Sequence, residues 1–494
     1  MATSVGILVF VLLWVGRGHV LDQPPTWDGA MGMTPAAITL AGNGFDLPAL
    51  LGQPSYEYGG PNTHATSLYT LVTAVVIAVM GGYGSALPVL HLLSFVAGAA
   101  LAAAVFVIAH RITASAYTSA LAALITMLYP PVLVQASDVY LDLPLAAAMM
   151  WSIALGVRHR YGLAILAATL AAWIKPTGII VVPVLAYILH RGTLPNRTRR
   201  TFTGLLVLPV AVALMPLLTA TPRRTRSEFS AFERTILTAL DTAWYSSHVP
   251  ALILLLGSTA IALLIRRGLG PRAENIGNGD AFTAVLIGLL ATVAFYLLNP
   301  LVTSGFELLP RYTVTLAPLL AILVTAGIHR APPILRTSIG LGISGALLVM
   351  AFGWLTPNAG NNYAISERDL RYEDHLAVQM EAIGDLEQLG PTLPVFYDHF
   401  TYYRFKYPEM GWVDADSPNG TAVYLASPGT YTLDSMPQEF AMLLERQWLG
   451  GDTLRALWRE AHASSRHAIE VHLHEVGEFQ NYVVVIQEVD ALSN

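Results

Sequence analysis

The chain of 494 residues has no cysteine. That excludes disulfides, thiolate nucleophiles and cysteine metal ligands. It is also poor in charge: Asp, Glu, Lys and Arg make up 12% of it, against 54% hydrophobic residues. Lysine is nearly absent, at Lys175 and Lys406 beside 25 arginines. There is no glycine-rich phosphate loop, no internal repeat and no low-complexity tract. Nucleotide-driven enzymes and repeat arrays are therefore poor fits. A net charge of −6 without a basic tract argues against nucleic acid as a partner.

What is present is apolar sequence in long runs, with a mean hydropathy of +0.53. Runs read at 4–16, 86–109, 115–134, 142–157, 161–174, 177–190, 204–220, 249–265, 281–298, 313–329 and 334–355. This predicts a polytopic all-α membrane domain of about eleven spans. Arg111, Arg158, Arg160, Arg191–Arg200, Arg266, Arg267, Arg272, Arg330 and Arg336 fall on one side under simple alternation. Basic loops stay in the cytoplasm, so the N-terminus is expected inside and the chain's end outside. The first run is short for a span and has no basic residue before it. Residues 66–83 are read as a helix at the outer interface. The segment 221–247 carries four arginines on the outer side, against the charge rule, and is read as an amphipathic helix on the lipid surface.

Charge divides the chain in two. Residues 356–494 hold 21 Asp and Glu against 8 Lys and Arg, a net −13 where residues 1–355 carry +7. The tail reads as a small water-facing α/β domain. A helix is expected at Leu376–Leu389, strands at Pro394–Tyr397 and Thr421–Ala426, helices over Met436–Ala461, and a closing strand pair at His467–Val476 and Tyr482–Val489. Its acidity suits a solvated surface, with or without a high-salt habitat. His472 and His474 share one strand face, which suits either metal binding or plain solvation. Asn419-Gly-Thr421 is a glycosylation sequon on the outer side.

Lys175 interrupts the apolar run Tyr161–His190. A charge at mid-bilayer costs about 2.5–3.5 kcal/mol. Basic residues flank the run on both sides, so it is expected to be a hairpin of two short legs with Lys175-Pro-Thr-Gly178 at the tip. Legs of 14 residues, roughly 21 Å, are short for a core of roughly 30 Å, so the tip should lie in a recess. A cation there suits an anionic lipid headgroup.

Other polar residues are expected on the same outer face. Asp28 lies in the long external segment 17–85. Asp138 and Asp142 precede the fourth span, where Asp142 could simply cap the helix before Pro144. Glu307, Arg311 and Tyr312 open a late span, a common place for an interface anchor. His64 lies in the external loop. Carboxylates suit proton removal or a metal, and Arg and Lys suit phosphate oxygens.

In this order the motifs resemble the C-type glycosyltransferases, the relatives of dolichyl-phosphate-mannose protein mannosyltransferases and of the lipid A aminoarabinose transferase. Trp27-Asp28-Gly-Ala-Met, Tyr58-Gly-Gly-Pro61, Leu170-Ala-Ala-Trp-Ile-Lys175-Pro-Thr-Gly and Leu309-Pro-Arg311-Tyr312 carry the resemblance across residues 1–355. It implies inverting transfer of a sugar from a polyprenyl (dolichyl)-phosphate donor to a protein, glycan or lipid acceptor at the extracytoplasmic face of the bilayer. Asp28 would be the base or would orient the acceptor, and Asp142 would support the site or a metal. Lys175, Arg311, Tyr312 and, in place of a missing lysine, His64 would hold the donor phosphate, with Asp138 and Glu307 as supporting groups. Gly29 stands where the family usually has Glu, which weakens the implied divalent metal. No WWDxG signature appears, against an oligosaccharyltransferase. The rival reading is a transporter or flippase of lipid-linked sugars, which would place charges at mid-membrane in both halves of an internal repeat.

Overall fold

The computed structural model describes residues 1–26, 29–51, 66–219, 248–268, 276–302, 310–353, 369–389, 393–397, 405, 407–412, 420–422, 432–445, 452–464, 466–477 and 479–489. Asp28, His64, Glu307, the segment 221–247 and Asn419 lie outside them.

Five described helices are long and apolar enough to cross a membrane: those containing Ala2–Val20, Tyr83–Thr113, Asn196–Met215, Gly279–Tyr296 and Pro333–Ala351. The Tyr83–Thr113 window is 78% buried and forms the centre; the other four are 17–39% buried. Their outward faces expose Ile7, Val15, Val207, Leu290 and Ile334. Apolar surface on this scale needs lipid rather than water. The chain is a multi-pass membrane protein.

Several spans differ from expectation. The first helix, α1 (Ala2–Arg17), runs past the predicted end at residue 16 into a further turn at Gly18–Val20. The central helix α2 (Tyr83–Thr113) is longer than the predicted 86–109. The predicted span 115–134 is two helices, Ala116–Met127 and α3 (Pro130–Ser137), bent by 71°. Tyr129-Pro130-Pro131 explains the break, because proline lacks the N–H that continues a helix but suits the first turn of a new one. Residues 68–80 form a helix of 13 residues, shorter than a span.

The hairpin forms as predicted. Helix α4 (Asp142–Val157) leads into α5 (Tyr161–Ile174), a tight turn at Pro176–Ile180 and α6 (Val181–Arg191). Lys175 precedes Pro176 and is extended (φ −153°, ψ 137°), the conformation that proline imposes on its predecessor. A Cβ on Gly178 would overlap the Ala171 backbone, so only glycine lets the turn fold this tightly onto α5.

The C-terminal domain is a five-stranded mixed sheet in the order β2-β1-β3-β5-β4. Strands β1 (Val395–Tyr397) and β2 (Gly420–Ala422) run parallel, as do β1 and β3 (Glu439–Glu445). Strands β4 (His467–Val476) and β5 (Phe479–Glu488) form an antiparallel hairpin, with Gly477 at φ 60° in its turn, and β5 pairs with β3. Helix α7 (Tyr372–Gln388) covers one face and Asp452–Ala463 packs on the other. The expectation of helices across Met436–Ala461 is wrong for its first half. Phe440-Ala-Met-Leu-Leu444 is the central strand β3, buried on both faces. A short continuous apolar run has no period that separates strand from helix.

Candidate active site

The site is built where four loop ends meet. Lys175 Nζ donates to Asp142 Oδ1 at 2.7 Å, and the Lys175 ammonium lies 5.0 Å from the centre of the Tyr312 ring. The Arg311 guanidinium lies 5.3 Å from the same ring and donates to the Tyr140 hydroxyl at 3.1 Å. Both distances are within cation–π reach. Lys175, Asp142, Arg311 and Tyr312 therefore form one cluster, although 169 residues separate Asp142 from Arg311 in sequence.

Local structure explains each position. Arg311 and Tyr312 sit in the tight turn Pro310–Thr315, tied down by a hydrogen bond from Tyr129 to Thr313 at 2.8 Å. Ser67 donates to the Ile174 carbonyl at 2.7 Å and Trp173 donates to the Thr66 carbonyl at 3.0 Å, so the loop before residue 68 is fastened to the hairpin tip. Asp142 does not cap its helix: the N-cap is Leu141, and no side-chain cap bond forms. The carboxylate is used by Lys175 instead. It is 2% exposed, the lysine side chain 18%. Asp142 Oδ2 is buried and has no hydrogen-bond partner among the described residues. A buried acceptor left open on a charged group is costly, and it marks a place for a ligand donor.

One helical turn below Asp142, a narrow apolar crevice opens between α4, the hairpin and the late helices. Ala146, Met150, Ile153, Ile180, Val184 and Leu319 line it, and Thr315 sits at the Arg311 end. A cationic lip above an apolar slot matches the two chemistries of a lipid phosphate.

Asp138 lies apart from the ion pair. It accepts the Thr26 hydroxyl, and its other oxygen accepts the Val139 N–H at 2.6 Å. Between Asp138 and Asp142 the chain is not helical, and residues 138, 140 and 142 meet Thr26, Arg311 and Lys175 in turn. The sequence reading missed Tyr140 and Thr26. The i, i+2, i+4 spacing of Asp138-Val-Tyr140-Leu-Asp142 was the available signal.

Asp28 is outside the described residues, but Gly29 beside it is placed. A Cβ on Gly29 would lie 3.0 Å from the Val139 carbonyl oxygen and 3.4 Å from Pro25. A glutamate at 29, as the resembling family carries, would have to push this loop away from the strip 138–142. Among the described residues no group of three His, Asp or Glu side chains is arranged to hold a metal ion. His472 and His474 are not freely solvated: both hydrogen-bond Asp385 Oδ2 on α7, at 2.7 and 3.1 Å.

No family model matches the sequence, and no curated protein is significantly similar to it. Among solved structures, ArnT from Cupriavidus metallidurans bound to undecaprenyl phosphate aligns over 100% of both chains, with a TM-score of 0.50 and 16% identity. The fold is that of ArnT. The apo state of the same enzyme aligns over 97% of both chains at 16% identity and a TM-score of 0.39. ArnT is the lipid A aminoarabinose transferase, a C-type glycosyltransferase, so the architecture expected from the motif order is present.

Proposed function

We propose that this protein transfers a sugar from a polyprenyl-phosphate donor to an acceptor at the extracytoplasmic membrane face, with inversion. The observation that carries the reading is the pairing of two cations around Tyr312 with an apolar crevice directly beneath them. That ArnT, a protein of the same fold, binds undecaprenyl phosphate adds to it.

The chemistry follows from the parts. A carboxylate, Asp28 by the resemblance, takes the proton of the acceptor hydroxyl. The hydroxyl oxygen attacks the anomeric carbon from the side opposite the phosphate. The bond from that carbon to the phosphate oxygen breaks, and its electron pair leaves on the phosphate. Lys175 and Arg311 stabilise the charge that develops there. Lys175 must exchange Asp142 for phosphate oxygen to do so, which frees Asp142 to orient the acceptor or the sugar. Tyr312 and His64 join Lys175 and Arg311 in holding the donor phosphate, and Asp138 and Glu307 are supporting groups in this scheme. The acceptor class remains protein, glycan or lipid, and mannose from dolichyl phosphate is one donor of the right kind. No step is routed through a metal. A transporter gains nothing from the arrangement, because the cations gather at one end and no repeat is visible.

The test uses purified protein and undecaprenyl phosphate. Lys175→Ala should weaken lipid-phosphate binding about tenfold or more, the loss of roughly one charge-assisted hydrogen bond. Asp28→Asn should abolish transfer while the protein still inserts and binds the lipid. Full transfer in Asp28→Asn, or unchanged lipid affinity in Lys175→Ala, defeats the reading. Comparing glycans and lipids of a deletion strain with its parent would identify the acceptor.

A further inference from the structure

The strip Asp138–Leu141 carries the groups that face both halves of the site, yet it belongs to no helix or strand. Its position must be set by side-chain contacts. Those contacts lead to the C-terminal domain along two routes.

The first runs through Arg17, the 8%-exposed last residue of α1. Its Nε donates to the Ser137 hydroxyl at 2.8 Å, next to Asp138. Its other nitrogen donates to the Tyr372 hydroxyl at 3.2 Å and pairs with Glu373, both at the start of α7. His19 reaches the same Glu373 at 2.9 Å. The second route runs through Trp412, 3% exposed, whose Nε1 donates to the Pro25 carbonyl at 3.1 Å. Thr26, the next residue, is the one that bonds Asp138. His91 on α2 closes the circuit, with its two ring nitrogens 3.0 Å from the Ser137 and Gln23 carbonyls. Leu40, Tyr69, Leu87 and Val139 of the membrane domain share one buried cluster with Leu376 and Trp412 of the C-terminal domain.

We propose that the C-terminal domain is a working part of the transfer site, with Arg17 and Trp412 as positioning residues that hold the loop 23–26 against the strip 138–142. The proposal rests on the transferase reading above. The backbone of Lys175 is set by the hairpin and that of Arg311 by its own turn, and each cation meets the strip through a single hydrogen bond, to Asp142 and to Tyr140. Loosening the clamp should therefore move the carboxylate side of the site relative to the phosphate side. Displacements of about 1 Å cost up to about a hundredfold in rate without touching the chemistry itself.

The experiment compares Trp412→Phe, which keeps the ring and loses the N–H, with Arg17→Ala and Arg17→Lys. Turnover should fall about tenfold in Trp412→Phe and up to about a hundredfold in Arg17→Ala. Affinity for undecaprenyl phosphate and its binding stoichiometry should stay at the wild-type level. Arg17→Lys should recover part of the loss. Hydrogen exchange gives a readout that needs no activity: Trp412→Phe and Arg17→Ala should speed exchange in residues 20–26 and 137–142 but not at 174–180. Wild-type turnover in folded variants, or donor affinity falling in step with turnover, overturns the proposal. If the exchange pattern changes as expected but the wild-type protein transfers no sugar, the coupling stands and the transferase reading falls. If exchange in 137–142 is unchanged, the coupling falls whatever the protein transfers.

Discussion

Two buried ion pairs in this molecule are built differently. At the junction, Arg371 donates to Asp369 through two guanidinium nitrogens, at 3.0 and 2.9 Å, and its backbone N–H donates to the same carboxylate at 3.2 Å. Asp369 is fully buried, and Arg371 lies against Gly353, which adopts φ 74°. Both carboxylate oxygens are used, and the adjoining Leu370 N–H bonds the Ala351 carbonyl at 2.8 Å. At the hairpin tip, Lys175 bonds one oxygen of Asp142 and leaves the other buried and open. A planar fork that satisfies its partner suits permanent structure. A point charge on a flexible stem, paired through a single contact, suits exchange with a ligand. The closed pair is scaffold and the open pair is site.

The sharpest way to break this comparison is to neutralise each acid in turn. Asp142→Asn should lower transfer by about 10²–10⁴-fold, the range for a group taking part in proton transfer or its alignment. Asp369→Ala should instead cost about 3–5 kcal/mol of stability, because it removes the carboxylate that accepts two guanidinium nitrogens of a largely buried Arg371. Turnover assays and thermal unfolding in detergent, run on both variants, check the pair of outcomes. If Asp142→Asn loses stability and keeps activity, the two pairs are of one kind. The double variant Lys175→Met with Asp142→Asn should be as stable as wild type and inactive, since replacing a buried ion pair by neutral groups is often neutral or stabilising.

Glycine supplies the next contrast. Gly178→Ala places a methyl into the Ala171 backbone at the hairpin tip. Overpacking of this kind costs about 1–3 kcal/mol. Because Lys175 is three residues away, undecaprenyl-phosphate binding should fall with it. Gly29→Ala meets the Val139 carbonyl at 3.0 Å, on the carboxylate side. It should slow turnover and leave lipid binding intact. Parallel binding and turnover measurements on both variants test whether the two sides of the site move separately.

The hairpin was legible in the sequence because its signals are local: a lone lysine, the Pro and Gly after it, and arginines at both feet. The meeting of Lys175 with Asp142 and Arg311 was legible only as a shared side of the membrane, since sequence spacing carries no distance across a bundle. Arg17 and Trp412 were not legible. Arg17 reads as a flanking charge and Trp412 as a core aromatic, and their roles arise from a docking between parts of the chain nearly 400 residues apart. The strand β3 was misread because burial on both faces removes the alternation that marks a strand.

The smallest effect expected lies in the C-terminal domain, where α7 meets the edge strand β4. His472 donates to Glu470, at 3.1 Å, and to Asp385, at 2.7 Å, with His474 also on Asp385. The hydrogen bond to Glu470, followed by that to Asp385, holds the His472 pKa above its usual value. A histidine with a raised folded-state pKa stabilises fully below its unfolded pKa of about 6.5, and that contribution is lost as pH climbs through the folded value. The contacts are partly exposed, so the contribution should be a few tenths of a kcal/mol to about 1 kcal/mol. Hydrogen exchange in β4 should accordingly show more protection at mildly acidic than at alkaline pH, after correction for intrinsic exchange rates. His472→Gln should flatten that dependence and leave sugar transfer unchanged, because the contact lies on the face of α7 away from Arg17 and the site. An unaltered pH slope in His472→Gln would assign the effect to His474 or to the carboxylates instead.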